Sequence, residues 1–156
     1  MNRAKVVEVS THLAATPDRV WDEVRRPALL LHIAAPLVRF EPVDPPTLPE
    51  QYAEGDYRMA MRLYGVVPLG EQVISISYPE PQNGTRFIRD NGYSDTIHRW
   101  DHLISIAPEG TGTRYADRIE IDAGWRTPAL VAFAHLFYRH RQKRWRQLIA
   151  RDFAYS

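Results

Sequence analysis

The sequence has no cysteine, which excludes a disulfide framework, a thiolate nucleophile and a cysteine-ligated zinc, and is compatible with a reducing compartment. It also has no long hydrophobic run. Segments such as Ala28 to Leu31 are far too short to cross a bilayer, so an integral membrane protein is not expected. The N-terminus, MNRAKVVEVS, lacks the apolar stretch and small-residue cleavage site of a secretory leader, and the expected location is cytoplasmic. Net charge is nearly absent, +1 from 20 Lys and Arg against 19 Asp and Glu, and says little about partners. No HExxH motif or closely set group of carboxylates occurs, so no metal site is expected, and no motif implies a cofactor.

What is present is ordinary for a globular protein. The 156 residues, 44% hydrophobic and 25% charged, suit one domain spanning residues 1–156. Two helix starts carry the same signal: Thr16-Pro17 before RVWDEV, and Thr127-Pro128 before ALVAFAHLFYRHRQKRWRQLIA. In each, the Thr can cap free N–H groups while the Pro occupies a position whose N–H is unpaired anyway. The second helix should run to about Arg151 with Leu130, Ala134, Phe137, Trp145 and Leu148 on one stripe, flanked by Phe133 and Ile149. A shorter helical segment, Ala28 to Ala34, is expected between Pro27 and Pro36 as breakers.

Strand-like segments fill the rest: Lys5 to Leu13, Leu37 to Phe40, Tyr57 to Tyr64, Glu71 to Tyr78, Arg86 to Arg89, Ile97 to Ile106 and Arg114 to Asp122. Between them Glu41 to Glu50, with four prolines in ten residues, reads as an ordered or semi-rigid loop. Side chains suggest two hairpin registers. If Ala107 pairs with Gly112, then Arg99 meets Glu120, Asp101 meets Arg118, Trp100 meets Ile119, Ile104 meets Tyr115 and His102 meets Asp117. Around GVVPLG, pairing Tyr64 with Glu71 sets Met61 against Ile74, Met59 against Ile76 and Tyr57 against Tyr78.

The order strand, helix, short helix, six strands, long C-terminal helix resembles the START-like or SRPBCC superfamily, the helix-grip fold of birch-pollen-allergen-type proteins, polyketide cyclases and coenzyme Q-binding proteins. The segments that carry the resemblance are VEVSTHLAATPDRVWDEV, GTRYADRIEIDAG and TPALVAFAHLFYRHRQKRW. It spans nearly the whole chain as a pattern of elements and implies an α+β fold: a curved antiparallel sheet of six or seven strands around the C-terminal helix. A cavity for an apolar or amphipathic small molecule, such as a lipid, quinone or polyketide, would lie between them. Fold is implied more firmly than function.

The stretch IHRWDH, Ile97 to His102, invites three readings. As a metal site it fails, because His98 and His102 on one strand would stand ~13 Å apart at ~3.3 Å per residue. As half of a proton-transfer pair it gains from Asp117, which the register sets opposite His102 with Tyr115 close by; a carboxylate orients an imidazole and keeps it chargeable. As a plain strand, the same pair would be two buried polar groups satisfying one another. In every reading Arg99 and Asp101 turn outward, while Trp100 and His102 join the cavity wall. The expected wall also holds Tyr57, Met59, Met61, Ile74, Ile76, Tyr78, Tyr115, Phe137 and, nearer its strand's end, His98.

Arg141 falls within the apolar stripe. It could bind a ligand's carboxylate or phosphate, pair with Asp117, or snorkel to solvent. The run RHRQKRWR around it, five Arg or Lys in eight residues, leaves room for a partner-binding module; without a recognised motif, nucleic acid is not expected. The readings that remain are ligand binding, a cyclase or dehydratase using His102 and Asp117, and a module that docks through the basic helix.

Overall fold

The computed structural model describes residues 4–155, so the first three residues of the segment read for a leader, and the last residue of the expected domain, lie outside the described residues. Thr16 acts as its sequence context suggests: it is extended, and its Oγ1 accepts the Arg19 N–H at 3.3 Å to open helix α1, Pro17–Val24. Helix α2 is Pro27–Ala34, with Pro27 in its first turn, so this proline begins the helix it was expected to bound.

Helix α3, Thr127–Ala150, has the expected length, but Thr127 does not cap it. A 3₁₀ turn, Gly124–Arg126, leads directly into the helix. Thr127 Oγ1 ties that turn down, accepting from the Ala123 N–H at 3.0 Å and donating to the Gly124 carbonyl at 2.8 Å. The helix start therefore rests on this brace.

Seven strands make one antiparallel sheet: β1 Lys5–Leu13, β2 Val38–Asp44, β3 Gly55–Leu63, β4 Val67–Ser77, β5 Arg86–Gly92, β6 Arg99–Glu109 and β7 Gly112–Asp122, in the order β1-β7-β6-β5-β4-β3-β2. With α3 packed on β1 and β7, this is the α+β helix-grip arrangement. Strand β2 runs into the proline-rich segment read as loop, and a bulge between Pro42 and Asp44 absorbs the irregularity. His98 and Ile97 precede β6, so IHRWDH is a strand only from Arg99 onward.

Both hairpin registers differ from expectation. In β6–β7 the turn is tighter than APEGTGT suggested: Gly110, at φ 59°, permits a two-residue connection, and Glu109 faces Gly112 while Ala107 faces Arg114. Every partner moves by two residues. Because side chains alternate with period two, the inward set survives; Trp100 faces Ile121, His102 faces Ile119 and Ile104 faces Asp117. Arg99 still bonds Glu120 at 2.8 Å on the diagonal, whereas Asp101 turns to Arg89 on β5, with two bonds of 2.9 and 2.7 Å.

In β3–β4 the shift is larger, since the chain reverses at Tyr64 and Gly65, both at positive φ, and Leu63 pairs with Val67. Tyr57 then faces Ile74 and Met59 faces Gln72, with a bulge after Met61; the expected pairs of Met61, Met59 and Tyr57 with Ile74, Ile76 and Tyr78 do not form. Pro68 is tolerated in β4 because that end of the strand has no ladder to β5, whose pairing with β4 is confined to Ile76 and Ser77.

The α3 stripe is buried as expected, but wider. Ala134, Phe137 and Tyr138 pack with Val7, Trp100, Ile119 and Ile121, while Trp145 and Leu148 join Leu13, Val20 and Tyr115 in a second cluster. Tyr115 and Trp145 meet edge to face at 5.7 Å. Leu130, Phe133 and Ile149 are half-buried at the flanks.

Candidate ligand cavity and its polar pole

Between the sheet and α3 lies a cavity of about 290 Å³. Its apolar wall comes from α2 (Leu29, Leu30, Ile33), from β2 to β6 (Phe40, Met61, Ile74, Ile76, Ile88, Ile104) and from one lane of α3 (Leu130, Phe133, Phe137). Exposed lining residues Leu69, Thr96 and Arg126 mark the opening. The polar groups on the wall are mainly Tyr52, Gln72, Asp90, His102, Tyr138 and Arg141. An apolar chamber with a few polar groups is the usual form of a small-molecule site.

The most ordered part of this pole is anchored behind the wall. Asp117 is fully buried and accepts three hydrogen bonds: from His102 Nε2 at 2.6 Å, Gln142 Nε2 at 2.9 Å and the Tyr115 hydroxyl at 3.3 Å. Gln142 also donates to the Val9 carbonyl at 2.7 Å, fixing its amide. Burial alone would raise the pKa of Asp117, but the bonds from His102 and Gln142 and the charge of Arg141 hold it below the ordinary carboxylate value. Burial lowers the pKa of His102 below the ordinary imidazole value, against the opposing pull of Asp117. At neutral pH the pair is therefore a carboxylate and a neutral imidazole. With Nε2–H donated to Asp117, Nδ1 is left as a lone-pair acceptor with no hydrogen-bond partner among the described residues.

Tyr138 joins this pair to the rest of the pole. Its ring centroid is 4.8 Å from that of His102, and its hydroxyl accepts the Trp100 indole N–H at 3.0 Å. The guanidinium carbon of Arg141 lies 5.0 Å from the Tyr138 centroid and 5.6 Å from that of Phe137. Arg141 is only 7% exposed, so it does not snorkel; nor does it pair with Asp117, whose oxygens are already taken. Asp90, directly across the β5–β6 ladder from His102, accepts the Ser75 N–H at 2.9 Å. It keeps some accessible surface because it opens on the cavity, yet protein rings it, and burial raises its pKa to about 7.

Of the residues expected at the wall, Met61, Ile74, Ile76, Trp100, His102, Phe137 and Arg141 line the cavity. Asp117 and Tyr115 stand one layer behind it. Tyr57, Met59, Tyr78 and His98 do not line it: Tyr57 is buried with its hydroxyl bonded to the Ala53 backbone, Met59 is fully in the core, Tyr78 donates to the Tyr52 carbonyl, and His98 is exposed. Tyr57 and Met59 keep their inward face but are packed in the core, Tyr78 lies past the end of β4, and His98 precedes β6. Tyr52, Gln72, Asp90 and Tyr138 were missed. Asp90 carried a signal, for it continues the inward alternation of Ile88 once β5 is allowed to run past Arg89. Among the described residues no group of side chains could hold a metal ion.

Residues 11–149 match the family described as a domain of unknown function, DUF8410. The chain belongs to DUF8410. No curated protein matches its sequence. Its structure resembles several solved ones at low identity, which establishes the fold. Protein CV1439 from Chromobacterium violaceum superposes with a TM-score of 0.66 at 16% identity, over 92% of this chain and 95% of that one. A START superfamily protein from Mycobacterium smegmatis gives 0.61 at 13%, over 94% and 97%. Truncated norcoclaurine synthase from Thalictrum flavum gives 0.60 at 14%, over 96% and 98%. This DUF8410 chain thus has the START-like fold. Among its described residues no helix is long and apolar enough to cross a membrane.

Proposed function

We propose that the chain acts as one ligand-binding domain in the cytoplasm, taking up an apolar or amphipathic small molecule of the lipid, quinone or polyketide kind between sheet and α3. The observation that carries this reading is the chamber itself, apolar over most of its wall and polar at one pole. A core with no ligand to hold would gain stability by filling that space, since voids forfeit packing. The test is mass spectrometry of small molecules released from the purified protein. Recovery of a stoichiometric amphipathic compound is the expected result. An empty protein that also takes up no fluorescent lipid or polyaromatic probe overturns it.

A second reading has its own support in the neutral His102, aimed by Asp117 and offering Nδ1 from the cavity wall. In a cyclase or dehydratase this nitrogen would accept a substrate proton, Asp117 would stabilise the imidazolium, and Arg141 or Tyr138 would steady the developing anion. Tyr115, behind the wall, is removed from that last role. The likeness to a protein named as a synthase is one of fold and lends this reading no residue. Turnover of the released ligand by the wild type and its loss in His102→Gln, with uptake retained, would favour catalysis over carriage.

A further inference from the structure

We infer that the polar pole is a carboxylate site, so that the cavity takes a monocarboxylic acid with an apolar body, bound head-first on Arg141. This rests on the proposal that the cavity binds a small molecule and narrows what that molecule is. Arg141 is more than nine-tenths buried and makes no ion pair or hydrogen bond among the described residues, and its Nε is enclosed without any acceptor. The rings of Phe137 and Tyr138 cover the cation's face but supply no acceptor for its N–H groups. A buried cation in this condition is costly unless something else pairs with it. Neither neighbouring acid bonds it among the described residues: Asp117 is held by three donors, and Asp90, which accepts the Ser75 N–H through one oxygen, makes no hydrogen bond or ion pair with the guanidinium. The missing acceptor is left for the ligand to supply.

The geometry selects among anions. A planar guanidinium matches a carboxylate with two parallel hydrogen bonds. The Tyr138 hydroxyl, which accepts from Trp100 and has no acceptor of its own among the described residues, adds a further donor on the same wall. A phosphate dianion would want a second cation. The other one lining the cavity is Arg126 at the opening, fifteen residues back along the chain and about 22 Å away along a helical path. Between Arg126 and Arg141, Leu130, Phe133 and Phe137 form an apolar lane on α3. The head therefore sits deep and the tail points toward the mouth.

The experiment is calorimetric titration of the wild-type protein at pH 7.4 with decanoate, decanol and decylamine, repeated with Arg141→Gln and Arg141→Lys. The expected result is a preference for decanoate over decanol of about tenfold or more, the size of one charge-assisted hydrogen-bonded pair. Arg141→Gln should bring the ratio to about parity, and Arg141→Lys, which keeps charge but loses the fork, should leave an intermediate ratio. Parity in the wild type, a preference for decylamine, or a carboxylate preference that survives Arg141→Gln overturns the inference while the cavity proposal stands. Failure of all three probes to bind folded wild-type protein overturns both. The wild-type series is decisive even if neither variant folds.

Discussion

Asp90 on β5 stands directly opposite His102 on β6, so two titratable side chains share one face of the sheet at the cavity wall. Burial drives both toward their neutral forms, raising the carboxyl and lowering the imidazole. Their consequences for stability run in opposite directions with pH.

For Asp90 the folded pKa is about 7 against an ordinary 3.8. Below about pH 4 both folded and unfolded chains hold the proton, and the group has no effect. Between pH 4 and 7 the unfolded chain loses its proton first, so the fold is progressively disfavoured as pH rises, reaching a plateau above 7 on the order of 4 kcal/mol at about 1.4 kcal/mol per unit. His102, with its lowered pKa, acts conversely and disfavours the fold as pH falls below 6.5. The difference between wild type and Asp90→Asn isolates the carboxyl. Urea midpoints should show the variant gaining on wild type steadily from pH 4 to 7; a constant difference would mean that Asp90 ionises normally.

A second prediction concerns Asp117. In Asp117→Asn one oxygen becomes an NH₂, which must face either Gln142 or His102. Facing Gln142, it opposes donor to donor in a fully buried site, costing about 1–3 kcal/mol. Facing His102, it forces the imidazole to accept at Nε2 and carry its proton on Nδ1, the nitrogen without a hydrogen-bond partner among the described residues. Nitrogen chemical shifts of His102 would report the tautomer, and chemical denaturation the stability. A variant with wild-type stability and an unchanged His102 tautomer would show that the three-donor arrangement does not set the histidine's state.

These two residues mark how far the sequence could be read. Asp117 and His102 were legible because strand alternation fixes faces: Trp100, His102, Tyr115 and Asp117 all point inward even though each cross-strand partner was displaced by two positions. The displacement was hidden because it depends on where the chain reverses. Gly110 and the Tyr64–Gly65 pair adopt positive φ inside segments whose prolines and glycines offered several turns of similar plausibility. Asp90 was passed over although it alternates inward with Ile88, since an acid at an apolar position reads as the end of a strand. Arg141 was visible on the stripe, but its fate turned on Gln142, its chain neighbour, having already taken the second oxygen of Asp117.

The basic run of α3 carries a third prediction. Its cations are dispersed: Arg141 is buried, Arg144 donates to the His32 carbonyl at 3.1 Å, and Arg146 bonds Thr11 Oγ1 at 2.9 Å. That leaves Arg139 and Lys143 as the exposed cations of the run without such a bond among the described residues, too little for a phosphate-tracking surface. Anisotropy titrations with DNA and RNA should give weak, salt-sensitive binding with no site preference at physiological salt. Tight, sequence-selective binding there would require a different role for the helix.

The last prediction tests the cavity's dependence on the α3 lane. Phe137 is 4% exposed, stacks on Phe133 at 5.5 Å and lines the chamber one helical turn before Arg141. Replacing it with Asp removes a large aromatic side chain, a change that costs about 3–5 kcal/mol even in the milder form of truncation to Ala. It also brings in a carboxylate four residues before the unpaired guanidinium, a spacing at which the two side chains can meet on a helix. If the variant folds, that pair supplies internally the acceptor the cavity otherwise lacks, and decanoate should no longer bind; if the lost packing dominates, the protein should not fold. Phe137→Leu, which keeps an apolar side chain and adds no charge, should fold and bind. Circular dichroism melting and calorimetry on both variants distinguish these outcomes, and Phe137→Asp with unchanged stability and unchanged decanoate affinity would remove α3 from the wall of the site.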